Sequence, residues 1–160
     1  MRGKVVMVTG ANAGIGREIV QAQAAIGATV VMVCRDRAKG EAARADIQPK
    51  TGNQNVELLI ADLSSQQAIR NVVKEFDARH PSLQVLVNNA GVLLPQRKTP
   101  ADGAKPTVFL ASSPEVEGVS GRLFSNKGLP GNSSKLSNDE SVAKRLWKVS
   151  AELRHLDGQG

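Results

Sequence analysis

The stretch "VMVTGANAGIGREI", Val6 to Ile19, decides how the rest of the chain is read. It begins as an apolar, β-branched run and ends as a helical pattern in which Ile15, Ile19, Ala22 and Ile26 form one stripe. Three glycines stand at the join. Gly10 permits a turn straight off a strand. Gly14 and Gly16 remove Cβ atoms where backbone must approach a ligand's phosphates and where the helix packs on the strand. The free N–H groups and positive dipole end of such a helix then face a pyrophosphate, so the stretch predicts strand, anion-binding loop and helix in that order.

Working outward, the same alternation repeats. Lys4–Thr9, Ala28–Cys34, Val56–Ala61 and Leu83–Asn88 are short runs rich in Val, Leu and Ile and apolar on both faces, as parallel strands covered on two sides require. Between them lie helical patterns. The second, from Arg37 to Ile47, offers a thin face of Ala38, Ala42 and Ala45; the third carries Ile69, Val72, Val73 and Phe76. Boundary signals fit: Gly27 after the first helix, Pro49 after the second, Ser64 with Gln67 as a capping box for the third, Pro81 beyond it. The expected order over residues 4 to 88 is β-α-β-α-β-α-β, a parallel sheet with right-handed crossovers.

Composition narrows the class. The chain has 160 residues, enough for one domain with one core. An apolar fraction of 41% and a charged fraction of 22% are those of an ordinary globular protein, so disorder and fibrous structure are set aside. The net charge of +6 suits an anionic partner. Its basic residues are scattered and have no aromatics among them to stack bases, which argues against nucleic acid. Cys34 is the single cysteine and cannot form an internal disulfide. No apolar run approaches the ~18 residues of a membrane span, no secretory leader is apparent at the start, and a cytoplasmic location is expected.

Three further features point to a dinucleotide. "LIADLSS" places Asp62 and Leu63 just beyond the third strand, where a carboxylate accepts from an adenine amino group and Leu63 covers the ring. "LVNNAGV" places Asn88, Asn89, Ala90 and Gly91 at the end of the fourth strand, with small residues leaving room for ribose and nicotinamide. In "MVCRDRAKGE", Asp36 is a candidate for the ribose 2′-OH of NAD. A helix N-cap is its preferred role, because Arg35, Arg37 and Lys39 surround it and guanidinium groups pair with a 2′-phosphate. NADP is therefore favoured over NAD.

Through "TGANAGIG", "ADL" and "NNAG", in order and at the right spacing, residues 1 to about 92 resemble the short-chain dehydrogenase/reductase family. "CRDRAKGE" is similar to its retinol dehydrogenase-like branch, which largely uses NADP(H). The resemblance implies an α/β fold with a Rossmann-like doubly wound parallel sheet, here truncated. It implies a cofactor cradle of Gly10, Asn12, Gly14, Ile15, Gly16, Arg35, Arg37, Asp62, Leu63, Asn89, Ala90 and Gly91. The implied chemistry is hydride transfer between nicotinamide and an apolar carbonyl or alcohol substrate.

The family supplies the proton from Tyr in a Tyr-x-x-x-Lys motif, with a nearby Ser polarising the carbonyl. This sequence has no Tyr, so no catalytic residue is assigned, and no metal ligand set is seen. His80 and His155 read as solvated surface residues, Ser112 and Ser113 as a helix end, Cys34 as a buried apolar residue, and Trp147 as packing beside the last helix's stripe. None replaces the missing phenol. Residues 99–128 and "VAKRLWKVSAEL" resemble the C-terminal helix, last strand and final helix of the same branch, so the middle of the family fold is read as cut out between about Val92 and Thr99. The family dimer interface lies in that missing middle and is not expected here. The reading is an NADP(H)-binding oxidoreductase of impaired activity; the alternatives are a non-catalytic or regulatory binding module and a truncated product without function.

The expected organisation is one truncated domain over 1–160: a dinucleotide-binding half at 1–92, a loop-rich remnant with a short helix and strand at 93–135, and a C-terminal helix and tail at 136–160. Thr99 and Pro100 cap and begin a helix to Ser112 that Pro106 kinks or delays. Gly121–Ser125 is expected to dock in parallel beside Leu83–Asn88, with Ala101–Ser112 as the right-handed crossover. The last helix, capped by Ser137 and Glu140, carries Val142, Leu146, Val149, Leu153 and Leu156 on one face and calls for a core to cover.

Overall fold

A computed structural model of the chain describes residues 1–91, 100–124, 130–131 and 139–153. Its centre is a four-stranded parallel sheet of β1 (Val5–Thr9), β2 (Thr29–Cys34), β3 (Val56–Ile60) and β4 (Val85–Val87), in the order β3-β2-β1-β4. The register pairs Val5 with Thr29, Val30 with Val56 and Val6 with Val85, so the carboxyl ends of all four strands finish at one edge of the sheet. The β-branched runs form this sheet because both faces are buried: Val6, Val8, Val30 and Met32 are fully enclosed on one face, and Val31, Val33 and Leu59 nearly so on the other. The truncated Rossmann-like α/β architecture is as expected.

Helices α1 (Gly14–Ala25) and α2 (Arg37–Thr51) cover the first face, joined there by α4 (Pro100–Ser112) through Ala104, Val108 and Ala111. Among the described residues, helix α3 (Gln66–Asp77) covers the second, through Val72 and Phe76. Close backbone approach sets two of these contacts. A Cβ on Gly40 would stand 2.8 Å from Leu58 Cδ1, and one on Gly103 would stand 2.6 Å from Ile15 Cδ1, so α2 lies tight on β3 and α4 tight on α1.

Several local expectations shift by a residue or by part of a turn. The buried face of α1 is Gly16, Ile19, Val20, Gln23 and Ala24, while Ile26 is exposed beyond the helix end. That of α2 is Gly40, Ala43 and Ile47 rather than Ala38, Ala42 and Ala45. Pro49 lies inside α2, which ends instead at Gly52 with φ +67°. Ser65, not Ser64, caps α3 by accepting from the Ala68 N–H at 3.3 Å; Ser64 is committed to Asp62. Helix α4 runs through Pro106 without interruption. Thr99 and the proposed cut at Val92–Thr99 lie outside the described residues.

The expected fifth parallel strand does not form. Leu123–Phe124 (β5) pairs antiparallel with Pro130–Gly131 (β6) in a separate two-stranded sheet, and among the described residues β4 remains an edge. Handedness gives the reason. The right-handed crossover from β3 to β4 puts α3 on the second face, and a further step outward from β4 needs its helix on that same face. Helix α4 lies on the α1 face, so a parallel strand reached through it would need the rare left-handed crossover.

The last helix, α5 (Glu140–Leu153), is capped by Asp139, whose Oδ1 accepts from Ser141 N–H at 2.8 Å and Val142 N–H at 3.3 Å. Ser137, His155 and Leu156 lie outside the described residues, as does the Leu153 side chain. Val142, Leu146 and Val149 are exposed rather than set on a core, and so is Trp147 at 76%. Among the described residues no helix is long and apolar enough to cross a membrane.

Candidate functional site

The carboxyl ends of β1 to β4 open on a groove of about 500 Å³. Each strand delivers part of it: Gly10 and Asn12 after β1, Arg35, Asp36 and Lys39 after β2, Asp62, Leu63 and Ser64 after β3, and Ala90 with Gly91 after β4. A crevice outside the carboxyl ends of parallel strands, where the order turns from β2-β1 to β4, is where open α/β sheets bind ligands.

The β1–α1 turn is shaped by its glycines. Gly10 has φ +64°, and a Cβ there would stand 3.0 Å from Ala90 Cα. A Cβ on Gly16 would fall 2.5 Å from the Asn89 amide nitrogen and closer still to the Gly10 carbonyl oxygen. Gly14, with φ +56°, has nothing within 4 Å of its would-be Cβ, so open space stands before the amino end of α1. That end has no side-chain cap and no acidic residue in its first turn, whereas α2 and α3 are capped by Asp36 and Ser65. Its orphan N–H groups and dipole are left to an anionic ligand, and the chemistry of a pyrophosphate fits them.

At the β2–α2 turn, Asp36 Oδ1 accepts from the Lys39 N–H at 3.0 Å and its Oδ2 lies 3.6 Å from Lys39 Nζ. The Lys39 N–H bond is the main cause holding the Asp36 carboxyl below its usual pKa. Oδ1 thus caps the helix, while Oδ2 stands in an exposed ion pair with the Lys39 side chain. Arg35 and Lys39 line the groove beside it; Arg37 opens α2 and does not line it.

After β3, Asp62 Oδ1 accepts from the Ser64 N–H at 3.0 Å and the Ser64 hydroxyl at 2.8 Å. These bonds, with the Arg35 charge as a smaller contribution, hold the Asp62 carboxyl below its usual range, so it is an acceptor at neutral pH. Its Oδ2 has no partner among the described residues. Leu63, 38% exposed, offers an apolar surface next to it.

After β4, the structure gives Asn89 a fastening role. Its Nδ2 donates to the Thr9 carbonyl at 2.9 Å and to the Gly10 carbonyl at 3.4 Å. Thr9 completes the latch: Oγ1 donates to the Val87 carbonyl at 3.3 Å and accepts from the Ala90 N–H at 2.9 Å. Two strand ends far apart in sequence are thereby fixed to each other under the groove. The Thr9 and Asn89 side chains stand beneath the binding surface, and Ile15, tucked under Gly103, packs into the core. Lys39 was read from sequence only as one of the basic residues around Asp36, and Ser64 and Thr9 were not singled out as groove or latch residues. Lys39 falls on the groove side of α2, Ser64 immobilises Asp62, and a Thr at a strand's last position carries no signal until its partner strand is known.

The other candidates for chemistry lie elsewhere. Cys34 is 2% exposed and its thiol is pushed up by burial, in keeping with an apolar role. His80 is packed rather than solvated: its ring lies 4.9 Å from Phe76 and its Nε2 is 3.2 Å from Glu57 Oε2. Ser113 accepts from the Glu115 N–H at 3.3 Å and Ser112 donates to the Val108 carbonyl at 2.6 Å, both local helix-end bonds.

Known proteins share this arrangement. Residues 4–111 match the sequence pattern of the family described as short chain dehydrogenase. Human "Retinol dehydrogenase 11" is 51% identical over 102 residues, covering 63% of this chain and 32% of that protein; bovine "Retinol dehydrogenase 12" is 48% identical over the same length. The chain spans about a third of the length of these curated relatives. Among solved structures, a metagenomic short-chain oxidoreductase in complex with NADP matches at TM-score 0.54 and 32% identity, over 72% of this chain and 57% of that one. A putative short chain dehydrogenase from Escherichia coli CFT073, complexed with NADPH, matches at TM-score 0.55 and 30% identity, over 58% and 39%. With the glycine turn, the acidic turn after β3 and the small-residue end of β4 assembled on one sheet edge, and with the family pattern running from β1 into α4, the chain belongs to the short chain dehydrogenase family.

Proposed function

We propose that this chain binds NADP(H) in the groove at the strand ends and that, within these 160 residues, it is impaired in turnover. The observation that carries the proposal is the uncapped amino end of α1 opening beside a groove lined by Arg35, Lys39, Asp62 and Leu63. The N–H groups after Gly10 hold the pyrophosphate. Arg35 and Lys39, with Arg37 close by, hold the 2′-phosphate, for which Asp36 does not compete because its carboxylate caps α2. Leu63 covers the adenine and Asp62 accepts from its amino group. Ala90 and Gly91 leave room at the ribose and nicotinamide end. The match to solved relatives crystallised with NADP and NADPH supports this choice.

When bound, NADPH supplies a hydride. An apolar carbonyl accepting it also needs a proton and a donor for its developing oxyanion. No phenol exists in the chain, and among the described residues no titratable side chain lines the Ala90–Gly91 end of the groove. Loss of general acid catalysis costs about 10² to 10⁴ in rate, and loss of an oxyanion donor about 10² to 10³ more. Titration of the chain into NADPH, followed by cofactor fluorescence, is expected to saturate. Retinal reduction, chosen because the relatives carry the retinol dehydrogenase name, is expected to fall at least 10⁴-fold below an intact relative. No saturation at millimolar concentration refutes the binding claim; turnover equal to the relative's refutes the impairment.

A further inference from the structure

The turn after β3 gives its two serines different tasks. The Ser65 hydroxyl accepts from the Ala68 N–H at 3.3 Å and caps α3. Ser64 works in the other direction: its N–H at 3.0 Å and its hydroxyl at 2.8 Å both donate to Oδ1 of Asp62. The backbone around them is anchored as well. The Ser65 N–H donates to the Asp62 carbonyl at 3.0 Å, and the Ala61 N–H donates to the Cys34 carbonyl at 3.0 Å, fixing the start of the turn to the end of β2. Asp62 therefore stands on a held backbone with one carboxylate oxygen tied by two donors. Those two bonds are the leading causes of its lowered pKa, so at neutral pH it is an acceptor with no proton to offer.

The tie matters because the last torsion of an aspartate is broad and two-fold, so a carboxylate without it turns easily. Asp62, Leu63 and Ser64 all line the groove, and with Oδ1 engaged it is Oδ2 that is left for a ligand. Purine bases differ at the atoms such an oxygen would meet. Adenine carries an amino donor at position 6 and a bare acceptor at N1. Hypoxanthine reverses the pair, with a carbonyl acceptor at position 6 and an N–H donor at N1. A carboxylate held in one orientation suits the first pattern and meets the second with acceptor against acceptor. One that is free to turn can follow the donor from position 6 to N1. Leu63 does not enter this choice, since its apolar surface covers either ring.

We propose that Ser64 is a positioning residue: by holding Asp62 Oδ1 it aims the remaining oxygen at a 6-amino group, and so makes the groove select adenine dinucleotides over hypoxanthine ones. The inference rests on the reading of the groove as an NADP(H) site. It is tested on the full chain by fluorescence titration with NADPH and with its hypoxanthine counterpart, both detected through the same reduced nicotinamide. The parent is expected to bind NADPH at least about tenfold more tightly than the hypoxanthine form. Ser64→Ala keeps the N–H bond to Asp62 and loses the hydroxyl bond, which lets the carboxylate pivot; the ratio is expected to shrink about threefold to tenfold, chiefly by a gain in affinity for hypoxanthine. Ser64→Thr keeps the hydroxyl and is expected to retain the parent's ratio. Ser65→Ala separates positioning from a general loosening of the turn: it is expected to lower Tm through loss of the α3 cap and to leave the ratio unchanged. A parent that binds both dinucleotides alike, a Ser64→Ala ratio equal to the parent's, a Ser64→Thr ratio as small as that of Ser64→Ala, or equal narrowing in Ser65→Ala each overturns this inference while NADP(H) binding stands. No saturation by NADPH in the parent overturns the reading of the groove and this inference with it.

Discussion

Replacement of Gln23 by Leu tests the packing account of α1. Gln23 is 0% exposed, on the face of α1 that also buries Ile19, Val20 and Ala24, and neither its Nε2 nor its Oε1 has a hydrogen-bond partner among the described residues. An unsatisfied buried amide costs about 1 to 3 kcal/mol in protein mutational data, and ordering a Gln side chain costs about 1 kcal/mol more entropy than ordering a Leu. Leu is close in volume, so little strain offsets the gain. The expected stabilisation is about 2 kcal/mol or more, a rise in Tm of roughly 4 to 8 °C for a chain of this size. Thermal melts followed by circular dichroism, with urea unfolding to confirm an unchanged m value, measure it. Gln21→Leu on the same helix controls for helix propensity and is expected to shift Tm much less. If Gln23→Leu melts at or below the parent temperature, the amide is satisfied in the folded chain and the dry account of this face is wrong.

Gly16→Ala is expected to destabilise by about 1 to 3 kcal/mol, because its Cβ would overlap the Gly10 carbonyl and the Asn89 amide that latches β1 to β4; calorimetry reads the loss. Arg35→Ala is expected to weaken NADPH binding by about 10- to 100-fold, the worth of a charge-assisted bond, while NADH binding barely changes; equal losses for both cofactors would place Arg35 away from a 2′-phosphate. Asp36→Ala is expected to lower Tm through loss of the α2 cap without weakening NADPH binding, and a binding loss in fluorescence titration would restore a ribose role. Asp36, Asp46, Asp62 and Asp139 all have carboxyls held below their usual pKa by hydrogen bonds of the folded chain. Their stabilisation is present above the unfolded value of about 3.9 and is lost as pH falls through the lower folded values. Unfolding free energy should therefore drop on acidification below about pH 4, and a flat profile between pH 5 and 2 would contradict these bonds.

Much of the cofactor half was legible in the residues themselves. Strand positions, the glycine turn, Asp36 as a cap and Asp62 with Leu63 after β3 follow from local rules: period, β-branching, positive φ and capping chemistry act over a few residues and leave a mark at each. Sidedness was less legible. A helical stripe gives a direction only to within part of a turn, so Ala42 was expected where Ala43 is buried, and Ile69 and Val73 were assigned to a core that only Val72 and Phe76 reach.

The amino-acid order alone determined that Val6 to Ile19 makes a strand, an open-ended turn and a helix, and that no phenol is present to deliver a proton. Tertiary structure decided which face each helix covers. That choice put α4 on the side of α1, denied Leu123–Phe124 a place beside β4, and left Leu86 bare. It also turned Asn89 and Thr9 into a latch between strands that are distant in sequence. The physical reason is that crossover handedness and strand pairing couple residues some 80 positions apart, and no local pattern encodes a constraint that exists only once the sheet has formed.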